Sequence, residues 1–258
     1  MCRCVDKPGL LLQGKKDQLT PAQVSYARSD SEWEGKDHGD LLSVVKEVKP
    51  HVLIGTSTQP GAFTEDIVRE MASHVSRPVI FPLSNPTRLH EAKPQDLYDW
   101  TDGKALVATG SPFDPVKHNG SEYDISECNN SVTFPGIGLG AVLSRTRLMT
   151  PALLVAAVEA LAAAAPVVTG AGSGLLPDVE DVREISVKIA RNVIKKAVEE
   201  GLAQEKGIPT ENGELEEWVR EQMWSAEYRP LELVGEHEAD ALAKGEMGTG
   251  SQQREARF

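Results

Sequence analysis

The chain has 258 residues, of which 40% are hydrophobic, and its formal net charge at pH 7 is −12. This length allows one large domain or a domain with an appendage. The acidic balance argues against a nucleic-acid partner, because phosphate backbones are bound by clustered Lys and Arg. No stretch approaches the roughly 20 apolar residues of a membrane helix, so no membrane partner is expected.

The cysteines Cys2, Cys4 and Cys128 are too few for a disulfide framework, which favours a reducing, intracellular compartment. Cys2 and Cys4 form a C-x-C pattern without a second pair or a nearby His, so a zinc site is not favoured. The histidines have no metal-ligand spacing, and no metal ligand is predicted. The start of the chain has no signal-peptide architecture, and its alternation, CRCVD, suggests a piece of something longer.

In chain order, the first predicted element is a short strand over residues 2–6 that ends at Asp6. Thr20 and Pro21 then form a helix entry, with the hydroxyl as N-cap and the proline in the first turn. Apolar residues over 41–48 recur with helical spacing, and Pro50 ends that helix. The N-terminal 50 residues are thus predicted to hold a strand and two helices.

The next part of the chain alternates short apolar runs with helical patterns. The runs at 51–55, 77–83 and 104–110 are typical of buried parallel strands. The segments 64–75 and 93–100 between them are predicted to be helices. This rhythm predicts the α/β class, with a parallel sheet, flanking helices and right-handed crossovers.

Ligands of such sheets bind outside the carboxyl ends of the strands, so the topology alone selects the strand tips as the candidate site. These tips are rich in hydroxyl and amide groups, which bind and orient ligands but do not exchange protons near neutral pH. The loop after the second predicted strand is also open to the plainer interpretation of an ordinary βα connection. The tip residues are Asp6, Gly55, Thr56, Ser57, Ser84, Asn85, Thr109, Gly110 and Ser111.

Alternatives remain open for the individual tip residues. Asp6 either accepts hydrogen bonds from an adenosine ribose, as an acid at a strand tip does in dinucleotide folds, or belongs to a turn. Pro86 holds Asn85 extended, so the Asn85 amide either projects towards a ligand or bonds its own backbone in an Asx-turn. Asn129 and Asn130 form a second amide pair, which either orients a ligand or forms a turn.

Gly136, Gly138 and Ala141 match the dinucleotide fingerprint G-x-G-x-x-G/A. They either cradle a pyrophosphate or allow close packing. A true fingerprint is followed about 20 residues later by an acid at a strand tip, whereas here an Ala-rich helix begins at Thr150 and Pro151. The local pattern therefore favours packing.

The remaining C-terminal part is predicted to be helical. Residues 182–198 have the spacing of a long amphipathic helix, which Gly201 ends. A short helix over 215–224 follows. Neither a G-x-S-x-G nucleophile elbow nor a P-loop lysine motif is present, so no catalytic residue is assigned.

Four segments carry a resemblance to a known family. They read VLIGTSTQPGAFTEDIVREMASH, RPVIFPLSNPTRLHEA, DGKALVATGSPFDPV and NNSVTFPGIGLGAVLSRT. In this order and spacing they closely resemble the malic enzyme family, and the similarity runs from about Cys4 to about Val234. Malic enzymes oxidise malate with NAD or NADP and decarboxylate it to pyruvate and CO2, using Mg2+ or Mn2+.

The resemblance implies an incomplete Rossmann-like parallel sheet flanked by helices, with a C-terminal helical appendage. Residues 1–165 would form a partial dinucleotide-binding domain, residues 166–235 the helical segment, and residues 236–258 a disordered tail. It also implies that FPGIGLGA begins a helix, and that the family's pyrophosphate-binding glycines precede the strand ending at Asp6.

The resemblance also implies roles for individual residues. Asn85 and Asn130 match asparagines that hold malate near the nicotinamide. Gln23 matches a position where many NADP-using relatives have a lysine for the 2'-phosphate, which favours NAD as cofactor, with NADP as the other choice. The positions that match cofactor contacts are Asp6, which matches the ribose-binding acid, Gly55, Thr56, Ser57 and Asn129.

The general acid Tyr, general base Lys, substrate-binding Arg and metal-binding acids of the family match no residue of this chain. We therefore expect part of an NAD(P)-dependent malic enzyme, inactive by itself, whose full-length form is a homo-oligomer with malate as substrate. One alternative is a non-catalytic truncated NAD-binding module or an interaction partner of a full-length subunit. Another is a relative that acts on malate by the malolactic route. Mitochondrial and cytoplasmic locations both stay open.

Overall fold

The computed structural model describes residues 2–228. Residues 2–222 lie in one compact unit, and residues 223–228, the described start of a second, contain no helix or strand. The α-helices are α1 (Pro21–Val24), α2 (Leu41–Val48), α3 (Glu65–His74), α4 (Pro94–Trp100), α5 (Phe134–Ser144), α6 (Pro151–Ala163), α7 (Pro166–Thr169), α8 (Val182–Glu199) and α9 (Asn212–Gln222). The strands are β1 (Val5–Asp6), β2 (Gly9–Leu10), β3 (Val52–Gly55), β4 (Val79–Pro82), β5 (Leu106–Thr109), β6 (Val116–His118), β7 (Ser121–Tyr123) and β8 (Ser126–Glu127).

Strands β3, β4, β5 and β8 form a four-stranded parallel sheet in that spatial order. Val52 pairs with Val79 and Val79 with Leu106, so the three apolar runs stack side by side. α3 connects β3 to β4 and α4 connects β4 to β5, and their apolar faces, including Met71 and Leu97, lie in the core of the sheet. The predicted alternation of strands and crossover helices is confirmed.

The fourth strand of this sheet, β8, is not predicted from the sequence. It consists of Ser126 and Glu127, which pair with Ala108 and Thr109 of β5. The β6–β7 hairpin lies between β5 and β8 in the chain. A strand of two polar residues shows neither an alternation of apolar and polar residues nor an apolar run. It is therefore recognised only by its parallel pairing with β5.

The prediction that residues 2–6 extend the parallel sheet is wrong. β1 does end at Asp6, but it pairs antiparallel with β2 in a separate two-stranded sheet. The tight turn between β1 and β2 can form because Gly9 adopts a left-handed φ of +81°. β2 continues into a small core of its own, in which Leu10 packs with Trp33 and Val44 of α2. The short loop makes this local pairing entropically cheaper than a distant one.

Helix α8 packs against α5 and α6, and glycines set the distance between α5 and α8. A Cβ placed on Gly136 would lie 2.6 Å from Cβ of Ile189, and one on Gly140 would lie 2.8 Å from Cβ of Val193. Gly138 has open space around its Cα instead. The fingerprint-like glycines therefore sit within a helix, and Gly136 serves close packing, as the local pattern indicated.

The predicted domain division at residue 165 stays a prediction. α8 lies beyond it, yet Ile189 shares a core with Leu153 of α6. Residues 229–235 of the predicted helical segment and the predicted tail 236–258 lie outside the described residues. Within residues 2–228, no helix is long and apolar enough to cross a membrane.

Candidate functional site

The carboxyl ends of β3, β4 and β5 lie side by side and form the candidate site. The backbone N–H of Leu83 donates to the carbonyl of Gly55 at 2.9 Å, which joins the first tip to the second. A Cβ on Gly110 would lie 2.2 Å from the Leu83 carbonyl oxygen, so only glycine allows the third tip to approach this closely. The structure thus brings together the predicted tips at 55–57, 84–85 and 109–111.

Asn85 joins the second and third tips through its side chain. Its Oδ1 accepts a hydrogen bond from Oγ of Ser111, and the residue is exposed. The Asx-turn alternative is therefore wrong, and the Asn85–Pro86 peptide bond is cis. The Nδ2 group makes no hydrogen bond within residues 2–228, so two N–H donors remain for a carboxylate or carbonyl oxygen of a ligand.

Glu91 lies beneath the first two tips, and sequence reasoning missed it. Its side chain is fully buried, and its Oε1 accepts hydrogen bonds from the N–H of Ser57 at 2.8 Å, from Oγ of Ser57 at 2.8 Å and from Oγ of Ser84 at 2.5 Å. Oγ of Ser84 in turn accepts from the N–H of Thr58 at 2.8 Å. A buried carboxylate thus connects the loop after β3 with the loop after β4.

Burial and hydrogen bonding act on the Glu91 carboxyl in opposite directions. Burial raises its pKa by disfavouring the charged form, but the hydrogen bonds from Ser84 and Ser57 outweigh burial, so the pKa lies below the ordinary glutamate value. Glu91 is therefore an anion at neutral pH. It accepts bonds and cannot donate one, so it orders donors and is no proton donor for chemistry.

The Glu91 side chain packs directly against Gly55, where no other side chain would fit. A Cβ on Gly55 would lie 2.5 Å from Cδ of Glu91, so glycine at this tip makes room for the buried carboxylate. A cofactor-binding role of Gly55, Thr56 and Ser57 stays a prediction, in which the loop offers backbone and hydroxyl groups to a ligand.

The two asparagines after β8 differ in their side-chain contacts. Oδ1 of Asn129 accepts from the N–H of Ser131 at 3.0 Å, and its Nδ2 donates to Glu127 at 2.9 Å. Asn129 is thus the cap of a short helical turn. Asn130 is exposed and its side chain has no hydrogen bond within the described part of the chain, so it is the freer of the two for a ligand.

The exposed Asp6 carboxylate makes two hydrogen bonds within the chain, and its ribose-binding role stays a prediction. Its Oδ1 accepts from the N–H of Lys7 at 2.7 Å, and its Oδ2 accepts from Nε2 of Gln23 at 2.6 Å. Oε1 of Gln23 accepts from the N–H of Thr20 at 2.8 Å and completes a capping box at the start of α1. The structure therefore places Gln23 directly beside Asp6, but it shows no hydrogen bond from Asp6 to the strand tips.

The site can bind and orient, and its residues do not fit a resident metal ion. Within residues 2–228 no group of three His, Cys, Asp or Glu side chains could hold a metal. The exposed groups at the tips are hydroxyls and amides, which donate and accept hydrogen bonds without titrating. Nothing in the local sequence of RLHEA marks Glu91 as buried. Ser84 of the nearby SNPT turn bonds Glu91, but this contact is visible only once the arrangement of the strands is known.

Comparison with known proteins places this geometry in context. The family model described as "Malic enzyme, NAD binding domain" matches residues 2–198. The mitochondrial NAD-dependent malic enzyme of Saccharomyces cerevisiae is 49% identical over 88% of this chain and 35% of that protein. NAD-dependent malic enzyme 3 of Bacillus subtilis is 46% identical over 90% of this chain and 41% of that protein. The chain thus spans well under half the length of these relatives.

Solved structures support the fold. The malic enzyme of Entamoeba histolytica matches with a TM-score of 0.64 and 23% identity, over 85% of this chain and 41% of that one. The malic enzyme of Pyrococcus horikoshii matches with a TM-score of 0.62 and 24% identity, over 83% of this chain and 44% of that one. The predicted Rossmann-like α/β class, a parallel sheet flanked by helices, is confirmed.

Proposed function

Because the chain belongs to the malic enzyme family, through its NAD-binding domain, we propose that it forms the cofactor-binding and malate-facing part of an NAD-dependent malic enzyme. The whole enzyme would oxidise malate and release CO2 to give pyruvate. The observation that carries this proposal is the 46–49% identity to NAD-dependent malic enzymes over nearly nine-tenths of the chain.

The strand-tip geometry supports the substrate part of this proposal. The Asn85 amide, oriented by Ser111, would donate to a malate oxygen, and the exposed Asn130 amide would complete the contact. NAD, when bound, supplies the hydride acceptor. Because amides do not titrate, this chain's share is positioning, which raises rates by holding reactants in a productive geometry. The described residues do not fit the family's divalent ion, so no step is assigned to it here.

Two proteins test this proposal: the chain alone, and a chimera in which it replaces the matching segment of the yeast relative. We expect no malate-dependent NADH formation by the chain alone with Mn2+, since it offers no proton-transferring group at the tips. The chimera should form NADH. A folded chimera that binds NADH without turning over malate would instead favour the non-catalytic module. Activity of the chain alone would contradict the expected inactivity.

We expect Asn85→Ala in the chimera to reduce kcat/KM for malate by about 10- to 100-fold, the range of a hydrogen bond to a charged group. NADH affinity should change less than threefold, because the amide meets the acid and not the dinucleotide. Asn212→Ala, at an exposed asparagine of α9 whose side chain accepts a hydrogen bond from Lys195 of α8, is the matched control. Equal kinetics for the two variants would rule out the substrate role of Asn85.

The Gln23–Asp6 pair supports NAD as the cofactor. Gln23 is uncharged, and both ends of its amide are already engaged, by Thr20 and by Asp6. A 2'-phosphate would therefore meet the Asp6 carboxylate with no cation at this position. Of the nearby lysines, Lys15 is occupied by the carbonyl of Pro8 at 2.7 Å.

We expect Gln23→Lys to shift the NADPH-to-NADH affinity ratio of the chimera by about tenfold towards NADPH, because a lysine can pair with the phosphate. The lost capping box should lower stability by about 1 kcal/mol. Gln23→Met has a similar length and no charge, so it should lose the same bond from the Thr20 N–H without changing the ratio. Fluorescence titration with each cofactor measures both variants, and an unchanged ratio in Gln23→Lys would contradict the assignment.

A further inference from the structure

Glu91 is buried without a positive partner. Within residues 2–228 no Lys, Arg or His nitrogen forms an ion pair with it, although its side chain has no exposed surface. A buried charge is unfavourable unless hydrogen bonds replace its hydration. Here neutral donors do so: apart from the backbone N–H of Glu91 itself, they come from Ser57 and Ser84, on two different loops.

These bonds are arranged as a bridge between the loops. Ser57 gives Glu91 both its N–H and its hydroxyl, while the Ser84 hydroxyl donates to Glu91 and accepts from the N–H of Thr58. The backbone reinforces the bridge, because the Glu91 carbonyl accepts from the N–H of Phe63 at 3.0 Å, at the end of the first loop. Neither loop can move far without breaking bonds to the same carboxylate.

The bridge continues to the third strand tip. Ser84 precedes Asn85, whose side chain is held by Ser111 after β5. Gly55, at the base of the first loop, has no room for a Cβ beside Glu91. One buried carboxylate thus connects the residues expected to contact the cofactor with those expected to contact the substrate.

We propose that Glu91 is a positioning residue that couples the order of the loop after β3 to that of the loop after β4. The coupling is a property of the chain itself. Its consequence for turnover rests on the proposed function, since it requires that Ser57 serve the cofactor side and Asn85 the substrate side. Hydride transfer needs both partners aligned, and a misplacement of about 1 Å can lower a rate by about 100-fold.

Amide hydrogen exchange of the whole chain, followed by NMR, tests the coupling without any ligand. We expect Ser84→Ala, a change in the second loop, to speed exchange at the Ser57 amide of the first loop by at least about tenfold. In a Glu91→Gln background the same change should have a smaller effect, because the main remaining link for it to remove is the direct bond from the Thr58 N–H to the Ser84 hydroxyl. If Ser84→Ala leaves Ser57 exchange unchanged, or acts equally in both backgrounds, the loops are not coupled through Glu91 and the proposal fails.

A second variant keeps the charge and protects the test against misfolding of Glu91→Gln. Gly55→Ala should push the Glu91 side chain aside and speed Ser57 exchange in the same way, while Glu122→Gln, at an exposed glutamate of β7, should not. Unchanged Ser57 exchange in Gly55→Ala would count against the bridge.

The chimera separates this proposal from the proposed function. If the unmodified chimera turns over malate, Glu91→Gln should lower kcat by about 100-fold and change both KM values by less than about fivefold. Here kcat is counted per NADH-binding subunit, so that loss of folded protein does not lower it. An unchanged kcat would overturn the positioning role. If the unmodified chimera is inactive, the proposed function fails, while the exchange experiment still decides the coupling.

Discussion

Alanine at Gly136 is expected to lower the free energy of unfolding by about 2 kcal/mol, whereas alanine at Gly138 should raise it by about 0.5–1 kcal/mol. Both lie in α5, so both gain helix propensity from alanine. At Gly136 the added methyl would lie 2.6 Å from Cβ of Ile189 and 3.0 Å from Cα of Ser186 in α8. Those atoms belong to a rigid helix, and overpacking of this kind is destabilising by about 1–3 kcal/mol.

Gly140 provides an independent test of the contact between α5 and α8. Its added methyl would lie 2.8 Å from Cβ of Val193 and 3.0 Å from the carbonyl oxygen of Ala190, so Gly140→Ala should be destabilising to a similar extent. Urea unfolding of the three single variants gives the free energies. If all three alanines stabilised the chain equally, the contact of α5 with α8 would not be the reason for these glycines.

As the pH is lowered, stability should fall in a first step through His90 and in a second step through carboxyl groups. The first step comes from His90, which is buried and whose ring nitrogens have no hydrogen-bond partner within residues 2–228. Burial lowers the pKa of His90, and the nearby Glu91 charge offsets this only in part. Below about pH 6.5, the ordinary histidine value, the unfolded chain binds a proton that the folded chain does not. Stability therefore falls from there down to the folded pKa.

The second step lies at lower pH and comes from carboxyl groups with a lowered pKa, which are Glu91 and the more exposed Glu32, Asp37 and Glu184. Glu91 is the buried one. Its folded pKa is depressed, so its contribution is complete above the unfolded value of about 4.3 and is lost as the pH falls through the folded pKa. In this window the unfolded carboxylate takes up a proton first. Protonation of Glu91 also weakens the acceptor that Ser57 and Ser84 share, so the loops should loosen in the same pH range.

His90→Phe should remove the first step and leave the second. The His90 ring lies 5.1 Å from that of Phe113, so phenylalanine keeps an aromatic contact while removing two unsatisfied nitrogens. We expect stability at pH 7 to be unchanged or about 1 kcal/mol higher, and to be flat between pH 7 and the second step. His51→Gln, at an exposed histidine, is the control. Urea unfolding from pH 7.5 to 3.5 would contradict the assignment if the first step survived in His90→Phe.

Local sequence patterns were sufficient to predict those helices and strands whose buried residues recur with a regular spacing. The amphipathic spacing over 182–198 predicted α8, which spans Val182–Glu199. The apolar run at 51–55 predicted β3 (Val52–Gly55), and Thr150 with Pro151 predicted the start of α6. In each case the residues that must be buried recur with the period of the element, and that period is visible without knowing the partner.

Local sequence patterns failed where the structure of a segment depends on contacts with residues elsewhere in the chain. β8 is polar and exists because β5 lies beside it, and β1 turned into a hairpin because Gly9 permits a tight return. Glu91 looked like an ordinary surface acid, because the Ser57 and Ser84 donors that compensate its burial lie 34 and 7 residues away in the chain. The predicted site contained three strand tips that the structure brings together, but not the residue that connects them.

Residue patterns were enough to predict the α/β class and to select the strand tips as the candidate site, and the family motifs added candidate roles for Asn85 and Asn130. The tertiary structure alone decided that Gly136 faces a helix, that Gln23 bonds Asp6 and that a buried carboxylate joins two loops. The physical reason is that periodicity is encoded in neighbouring residues. The compensation of a buried charge, or the space for a missing Cβ, depends on atoms that only folding brings together.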